Sequence, residues 1–297
     1  MNTNNMFKIK CCICGNIKIL SQKITIYDRK KYSFGQSFIL YSCSNCGFYW
    51  ININQAELIN LYNKKYFCED VYKKGYSNEE NYLRDKASIL IRKLTNIGYK
   101  KGLVLDIGCG FGYFLDEFSD QYWMKFGIDI SQYAIDNAKK IVQNGNFYCI
   151  DVLNMRNIIG KYPFFKNSFD LITLVDTLEH IPNPIFLIKI INNLLKKDGI
   201  FYIYTYNFNG LGRYIWGWNW REFYPPYHLN YFNKKNLLYS LQNNGFSIYE
   251  LKMYGLSYDS AAFNKFSKKI CKIFSNIATL LNIGDHISLI AIKKKNI

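Results

Sequence analysis

Short apolar runs punctuated by Gly, Asp and Asn dominate the chain from residue 103 onward. Leu103–Ile107, Phe126–Asp129, Asn146–Ile150, Ser168–Val175 and Ile200–Thr205 each read as a strand. Leu187–Leu195 reads as a helix, and Lys197-Asp198-Gly199 as the turn before the next strand. Gly245–Leu251 and Asp285–Ile292 read as two more strands, with a basic helical insert at about Ala261–Leu281 between them. There Lys265, Lys268, Lys269 and Lys272 recur at helical spacing opposite Phe266, Ile270, Ile273 and Phe274. That pattern fits an ordinary surface helix, or one lying on an anionic membrane surface.

The first third has a different texture. Ile17–Leu20, Lys23–Tyr27 and Ser37–Ser42 read as short strands. Residues 56–100 are mostly polar and helical in pattern, over Ala56–Tyr62 and Glu79–Ile97. Leu83, Ala87, Leu90, Ile91 and Leu94 supply the apolar stripe of the second helix. Tyr62, Tyr66, Tyr72, Tyr76 and Tyr82 punctuate this linker or cap. They read as packing residues, with some of them placed to cover a neighbouring pocket.

A length of 297 residues allows about two domains and a sizeable core. With 49% hydrophobic residues, a wholly disordered chain is excluded. No apolar run approaches the ~20 residues of a membrane span. Met1–Lys10 is polar and basic and lacks the apolar stretch of a secretory signal, so the expected location is cytoplasmic.

The formal net charge of +16 points towards an acidic partner: nucleic acid, an anionic membrane, or a phosphorylated substrate. Only six of the 38 basic residues are Arg, however, and Asn, Ile, Tyr and Phe abound. A/T-rich coding produces that balance without any selected partner. Residues 1–100 carry a net +9, residues 101–200 a net −1, and residues 201–297 a net +8. The middle third is electrically ordinary, so the pattern is a core with basic flanks.

Four of the nine cysteines have ligand spacing. Cys11-x-x-Cys14-Gly15 is followed, after 28 residues, by Cys43-x-x-Cys46-Gly47. Two residues between thiols let one tight turn offer both sulfurs to a single ion, and the following Gly permits positive φ. Two such turns make a closed tetrahedral shell suited to structural Zn²⁺, so residues 1–55 read as a zinc ribbon. Cys12 is a bystander. Four thiolates and a dication would lower the net charge to about +14.

The sharpest chemistry starts at Leu103-Val104-Leu105-Asp106-Ile107-Gly108-Cys109-Gly110-Phe111-Gly112. A buried strand ends at an acidic residue, and a Gly-x-Gly-x-Gly loop opens a helix. The glycines let the backbone approach a ligand closely. A dinucleotide site would need G-x-G-x-x-G, which is absent here. Asp106 suits a cationic ligand part such as an amino group. Asp129, about 20 residues on, is placed for ribose hydroxyls. Asp151, at the third strand end, can accept from the exocyclic amine of adenine.

This run resembles the class I S-adenosylmethionine-dependent methyltransferases. The resemblance continues through Ser168-Phe169-Asp170-Leu171-Ile172 to Asp176-Thr177-Leu178-Glu179-His180, matching the family's "FD…LEH" segment over about residues 100–205. It implies an α/β, Rossmann-like seven-stranded sheet over 101–297, its last two strands antiparallel, preceded by the small zinc module and the helical cap at 56–100. S-adenosylmethionine is the implied cofactor. Its implied binding residues are Asp106, Gly108, Cys109, Gly110, Gly112, Asp129, Ile130, Asp151, Val152 and Asp176.

Acceptor chemistry centres on two further features. Between residues 201 and 232, 14 of 32 side chains are aromatic, a density that fits either an acceptor-stacking lid at about 206–235 or a small hydrophobic subdomain. Arg213 and Arg221 are placed to hold phosphate there. Of the three histidines, His228 is the first candidate base or acceptor-binding residue and His180 the second, while His286 reads as structural. The zinc module, the core and the Pro-Pro-x-His-Leu-x-Tyr-Phe loop together resemble methyltransferases of bacterial surface-polysaccharide and nucleotide-sugar pathways. That resemblance implies O-methylation of a sugar or sugar-linked group. An RNA methyltransferase is the alternative, although Asp176-Thr177-Leu178-Glu179 stands where base-amine enzymes often carry Asn/Asp-Pro-Pro-Tyr/Phe. A non-catalytic cofactor-binding module is the third reading.

Overall fold

The computed structural model describes residues 9–25, 37–53, 60–70, 75–154, 165–257 and 265–295. Two sheets organise them. The larger contains β4 (Gly102–Ile107), β5 (Trp123–Asp129), β6 (Gly145–Cys149), β7 (Phe169–Val175), β8 (Leu195–Tyr206), β10 (Phe246–Tyr254) and β11 (His286–Lys293). Its strand order is β10-β11-β8-β7-β4-β5-β6. Five strands pair in parallel, and β11 is antiparallel to both β8 and β10. β10 therefore runs with the five and, of the last two strands expected to be antiparallel, only β11 is reversed. Order reverses at β4 and β7, so the carboxyl ends of those strands open a crevice.

Helices cover both faces. They include α1 (Glu80–Asn96), the single turn α2 (Tyr113–Asp116), α3 (Gln132–Ile141) and α4 (Pro184–Leu194). The stripe expected on the first of these, Leu83, Ala87, Leu90 and Leu94, is buried. α4 starts three residues earlier than its apolar pattern predicts, because the Asn183 side chain accepts from the Phe186 N–H and Pro184 sits in the first turn. The predicted turn at Lys197–Gly199 lies inside β8. Asp198 takes a left-handed φ of 62°, and the ladder shifts register beside it, so this is a bulge within a continuous strand.

The smaller sheet has the order β1-β2-β3-β9 and is antiparallel throughout. The two strands expected at Ile17–Leu20 and Lys23–Tyr27 merge into β1 (Ile19–Thr25), since each of its residues pairs with β2 (Ser37–Cys43) without a break. Tyr27 lies outside the described residues, as do most of the predicted helix at Ala56–Tyr62 and Tyr72. Two strands were not predicted: β3 (Tyr49–Ile51) and β9 (Asn230–Tyr231). Both are too short for a period to show.

The β3–β9 pairing joins the cysteine-rich segment to the aromatic segment. Tyr49 pairs with Tyr231 and Trp50 with Asn230. Phe48 packs on Phe232, and Asn233, which caps α6 (Lys234–Gln242), donates to the Gly47 carbonyl at 3.0 Å. Cys11, Ile13, Cys43, Cys46 and Phe48 thereby belong to the same apolar cluster as one face of the large sheet.

The aromatic segment is chiefly a core. Phe208, Trp220, Phe223 and Tyr231 are buried together with Leu40 and Ile51. The segment forms α5 (Leu211–Trp216), a short 3-10 turn and β9, not a stacking platform over the crevice. Asp285, fully buried, ties it down. Its carboxylate accepts from Gly212 N at 2.8 Å, Trp220 Nε1 at 2.9 Å and Ser257 N at 2.8 Å. Asp285→Ala strands these three donors in the interior and is expected to cost about 3 kcal/mol or more, read from the urea midpoint at constant m.

Candidate active site

The loop after β4 is built on positive φ: 75° at Gly108, 53° at Gly110 and 82° at Gly112. Gly108 N and Cys109 N both donate to the Ile128 carbonyl, at 2.8 and 3.0 Å, which ties the loop to the end of β5. A Cβ on Gly108 would lie 2.5 Å from Thr177 Oγ1, and one on Gly110 would lie 2.4 Å from the Tyr76 hydroxyl. Gly112 is needed for a different reason, since its Cβ would strike Val142 on the flank of α3. Gly108→Ala is expected to lower stability by about 2 kcal/mol and to weaken S-adenosylmethionine binding at least tenfold, by thermal melting and calorimetry.

A cavity lies above this loop at the carboxyl ends of β4, β5, β6 and β7. Gly108, Gly110, Asp129, Ile130, Asp151, Val152 and Asp176 line it. These are seven of the ten cofactor residues expected from sequence. The other three sit beneath. Asp106 is buried and accepts from Thr173 Oγ1, Cys109 is buried in the core against Gly127, and Gly112 packs on the helix. Asp129 accepts from Gly110 N at 3.0 Å and Ser131 N at 2.9 Å, so its orientation is fixed while lone pairs remain. Asp151 accepts from Leu153 N at 2.9 Å in the same manner.

The cavity is roofed by Tyr62, Tyr66, Phe67, Tyr76 and Tyr82 from the cap, with Glu79 beside them. Four of the five punctuating tyrosines therefore cover it. Phe67 went unnoticed in the sequence; it stacks on Phe111 of the glycine loop at 5.4 Å.

Beyond the cofactor residues lies a cluster of buried acids and histidines. Asp176 adopts φ 47°, rare for a non-glycine residue, at the end of β7. Its Oδ2 accepts from the Tyr82 hydroxyl at 3.1 Å, and its Oδ1 is buried without a partner. Burial, and then repulsion from Glu222, push its pKa up to about 7. Lys86, one turn beyond Tyr82 on α1, partly offsets this and donates to Tyr204 Oη at 2.7 Å. Glu179 accepts from Thr205 Oγ1 at 2.8 Å, while its Oε1 is an orphan. Burial and the nearby Asp176 raise its pKa strongly.

His180 lines the cavity and His228 does not. His180 Nδ1 lies 2.8 Å from the Tyr227 carbonyl, and His228 Nδ1 2.8 Å from the Glu222 carbonyl. A carbonyl only accepts, so Nδ1 is the donor in each of these two bonds. The Tyr62 hydroxyl also lies 2.9 Å from His180 Nδ1, and a second backbone bond ties His180 to Asp176. The two rings are 4.9 Å apart, and His228 stacks on Tyr206 behind His180. Ligand-type atoms of Glu179, His180 and His228 fall within 4.8 Å of one another. Burial holds the pKa of His180 down to about 4 and that of His228 to about 3. The sequence had ranked His228 first. Of the two, only His180 has access to the cavity, because β9 and the chain before it fold His228 inwards.

Neither arginine lines the cavity. Arg213 stacks on Trp218 and Phe208, at 4.1 and 4.9 Å, outside the cavity lining. Arg221 is largely exposed, near Glu222.

Residues 78–251 match the methyltransferase domain family along their length. The chain belongs to that family. Among curated methyltransferases, ubiquinone biosynthesis O-methyltransferase of Glaesserella parasuis is 30% identical over 128 residues, covering 42% of this chain and 50% of that one. The counterpart in Coxiella burnetii is 34% identical over 110 residues, covering 36% and 44%. The chain thus spans about half the length of the curated relatives it matches. Magnesium protoporphyrin IX methyltransferase of Synechocystis, solved with bound SAH, has a TM-score of 0.56 at 16% identity, covering 81% of this chain and all of that one. The fold and the family are those of an S-adenosylmethionine-dependent methyltransferase.

The cysteine cluster lies apart from the cavity. Cys11 Sγ is 3.7 Å from Cys46 Sγ and Cys14 Sγ is 3.5 Å from Cys43 Sγ, with all four within 4.8 Å and none in a disulfide. Four sulfurs at ~2.3 Å from one tetrahedral zinc ion lie about 3.8 Å apart, which these spacings fit. Four thiolates so close also repel unless a cation sits between them. Cys12 is exposed and outside the cluster.

Proposed function

We propose that this protein transfers a methyl group from S-adenosylmethionine to a hydroxyl of a small acceptor, with Zn²⁺ held structurally by Cys11, Cys14, Cys43 and Cys46. The observation that carries the reading is the cavity itself, where the glycine loop, Asp129, Asp151 and Asp176 meet His180. Asp129 would take the ribose hydroxyls, Asp151 and Val152 the adenine, and Gly108 and Gly110 the backbone contacts. Asp106 would act from beneath, through the loop. Bound S-adenosylmethionine supplies an electrophilic methyl on a sulfonium that departs as a neutral thioether. The protein must then align the acceptor and remove its proton. Alignment can be worth roughly 7–11 kcal/mol, and a positioned base about 10²–10⁴-fold.

In this reading His180 accepts the hydroxyl proton on Nε2. Its Nδ1–H bond to the Tyr227 carbonyl sets that tautomer. Tyr62, 2.9 Å from the same nitrogen, steadies the ring. Asp176 and Glu79 offer acceptor atoms to further hydroxyls, which favours a sugar or sugar-linked acceptor. A second reading follows from the relatives named for ubiquinone biosynthesis: an aromatic hydroxyl packed against the cap tyrosines. Calorimetry with S-adenosylmethionine tests the site, and no measurable heat would end the proposal. Mass spectrometry after incubation with nucleotide sugars on one side and phenolic quinone precursors on the other then decides the acceptor. A mass increase of one methyl identifies the class.

A further inference from the structure

The helix α7 (Lys265–Leu280) presents its apolar side to solvent. Cys271 and Ala278 are buried, with Ser275 and Asn282 on the same stripe. That inner side is held largely by polar bonds: Leu256 N to Ser275 Oγ, Gly255 N to Thr279 Oγ1 and Met253 N to Asn282 Oδ1. The outer side carries Ile270, Ile273, Phe274, Ile277, Leu280 and Leu281, all exposed, with Ile273 at 52% and Leu280 at 83%. An ordinary surface helix buries its apolar stripe, and this one inverts the arrangement. The apolar surface continues across the start of α5, where Leu211 N donates to the Ile283 carbonyl and Tyr214 is 73% exposed.

Charge identifies what would cover it. Lys269 and Lys272 are exposed and, at helical spacing, border the apolar side along one edge. The helix contains no acidic residue. A second copy docking here antiparallel, about a two-fold normal to the helix, would bring like rows of lysine together, and in any two-fold arrangement the copy brings no acid to meet them. A surface of anionic lipid headgroups over acyl chains satisfies both the lysines and the apolar side at once. Tyr214 and Trp218, both exposed nearby, are residue types that favour that boundary.

We propose that α7 and the adjoining turn of α5 form a docking face for an anionic membrane surface, with the helix lying in the plane of the interface. The test is flotation of the full chain with phosphatidylcholine vesicles containing phosphatidylglycerol, against pure phosphatidylcholine. Partitioning is expected to be on the order of 10-fold greater on the anionic vesicles and to fall with salt. Ile273→Glu/Ile277→Glu and Lys269→Glu/Lys272→Glu should each abolish it while leaving the melting midpoint and S-adenosylmethionine affinity unchanged, since these side chains are exposed. Equal partitioning on both vesicle types, or none, overturns the proposal. So does retention of binding by the Ile273→Glu/Ile277→Glu variant. Light scattering adds a third decisive outcome: a dimer that this variant dissociates, without vesicle binding, assigns the face to a second copy instead.

Discussion

Cys43→Ser is expected to lose bound zinc, to lower the melting midpoint by about 10 °C, and to cut methyl transfer on the order of 10²-fold. The stability loss follows from the proposed zinc site, where one ion held by four sulfurs would be the main cross-link in a segment of short strands. The activity loss follows from the connection to the cavity. Immediately after the second cysteine pair, Phe48–Ile51 packs against and pairs with β9. Ile51 N donates to the Leu229 carbonyl at 2.9 Å, and Leu229 N donates to the Glu179 carbonyl at 2.8 Å. Asn230 Nδ2 adds a bond to the Ile181 carbonyl at 2.6 Å. The cysteine segment is therefore linked to the residues on either side of His180, by a backbone bond to Glu179 and an Asn230 side-chain bond to Ile181. Zinc content, melting and turnover measured on one preparation check the whole chain of effects. An unchanged melting midpoint after complete chelation would refute the structural role of the metal.

His180→Gln is expected to reduce turnover by about 10²–10⁴-fold with S-adenosylmethionine affinity intact. His228→Gln, which alters a ring outside the cavity, should change turnover by less than about tenfold while lowering stability, since its Nδ1–H bond to the Glu222 carbonyl is lost. The two variants separate a group that takes the proton from one that supports it. The pH profile sharpens the test. Burial holds His180 at a pKa of about 4, below the ordinary histidine value of 6.5, so the ring stays neutral well into the acid range. His180 should therefore contribute an acid-limb inflection of kcat/KM near pH 4, separate from any inflection near pH 7 that belongs to Asp176. An inflection near pH 6.5 that disappears in His180→Gln would show an exposed imidazole instead.

Much of the fold is legible in the sequence because it is carried by local rules. The strand–glycine loop–helix at 103–116 needs a buried run, positive φ at three spaced glycines and a turn of helix, each visible residue by residue. The two Cys-x-x-Cys pairs announce their cluster because short-range geometry brings each pair of sulfurs together. Lys86 and Tyr82 could have been paired from their spacing on one helix, four residues apart. Glu222 carries no such signal. It enters the cluster only because the segment after β8 folds back beneath the cavity, where its charge is felt by Asp176.

Other features are decided only by packing. Which histidine meets the cavity depends on β9, a strand of two residues whose existence rests on a partner about 180 positions earlier in the chain. No window of sequence contains both. The aromatic density at 201–232 reads alike whether it forms a binding surface or a core, and the burial of Trp220, Phe208 and Tyr231 selects the core. The outward apolar side of α7 is likewise silent in the helical pattern, which fixes an apolar side but not the direction it faces.

The sequence by itself determined most strands of the large sheet, the glycine loop and the two cysteine pairs, because propensity, periodicity and spacing act within a few residues. Their assembly into one seven-stranded sheet is what the family resemblance implies and the structure shows. Tertiary structure alone decided that the cysteine segment belongs to the wall behind the active site, that His180 and not His228 meets the cavity, and that one helix leaves its apolar side to solvent. Those outcomes depend on long-range pairing and burial, whose energies arise only when distant segments meet.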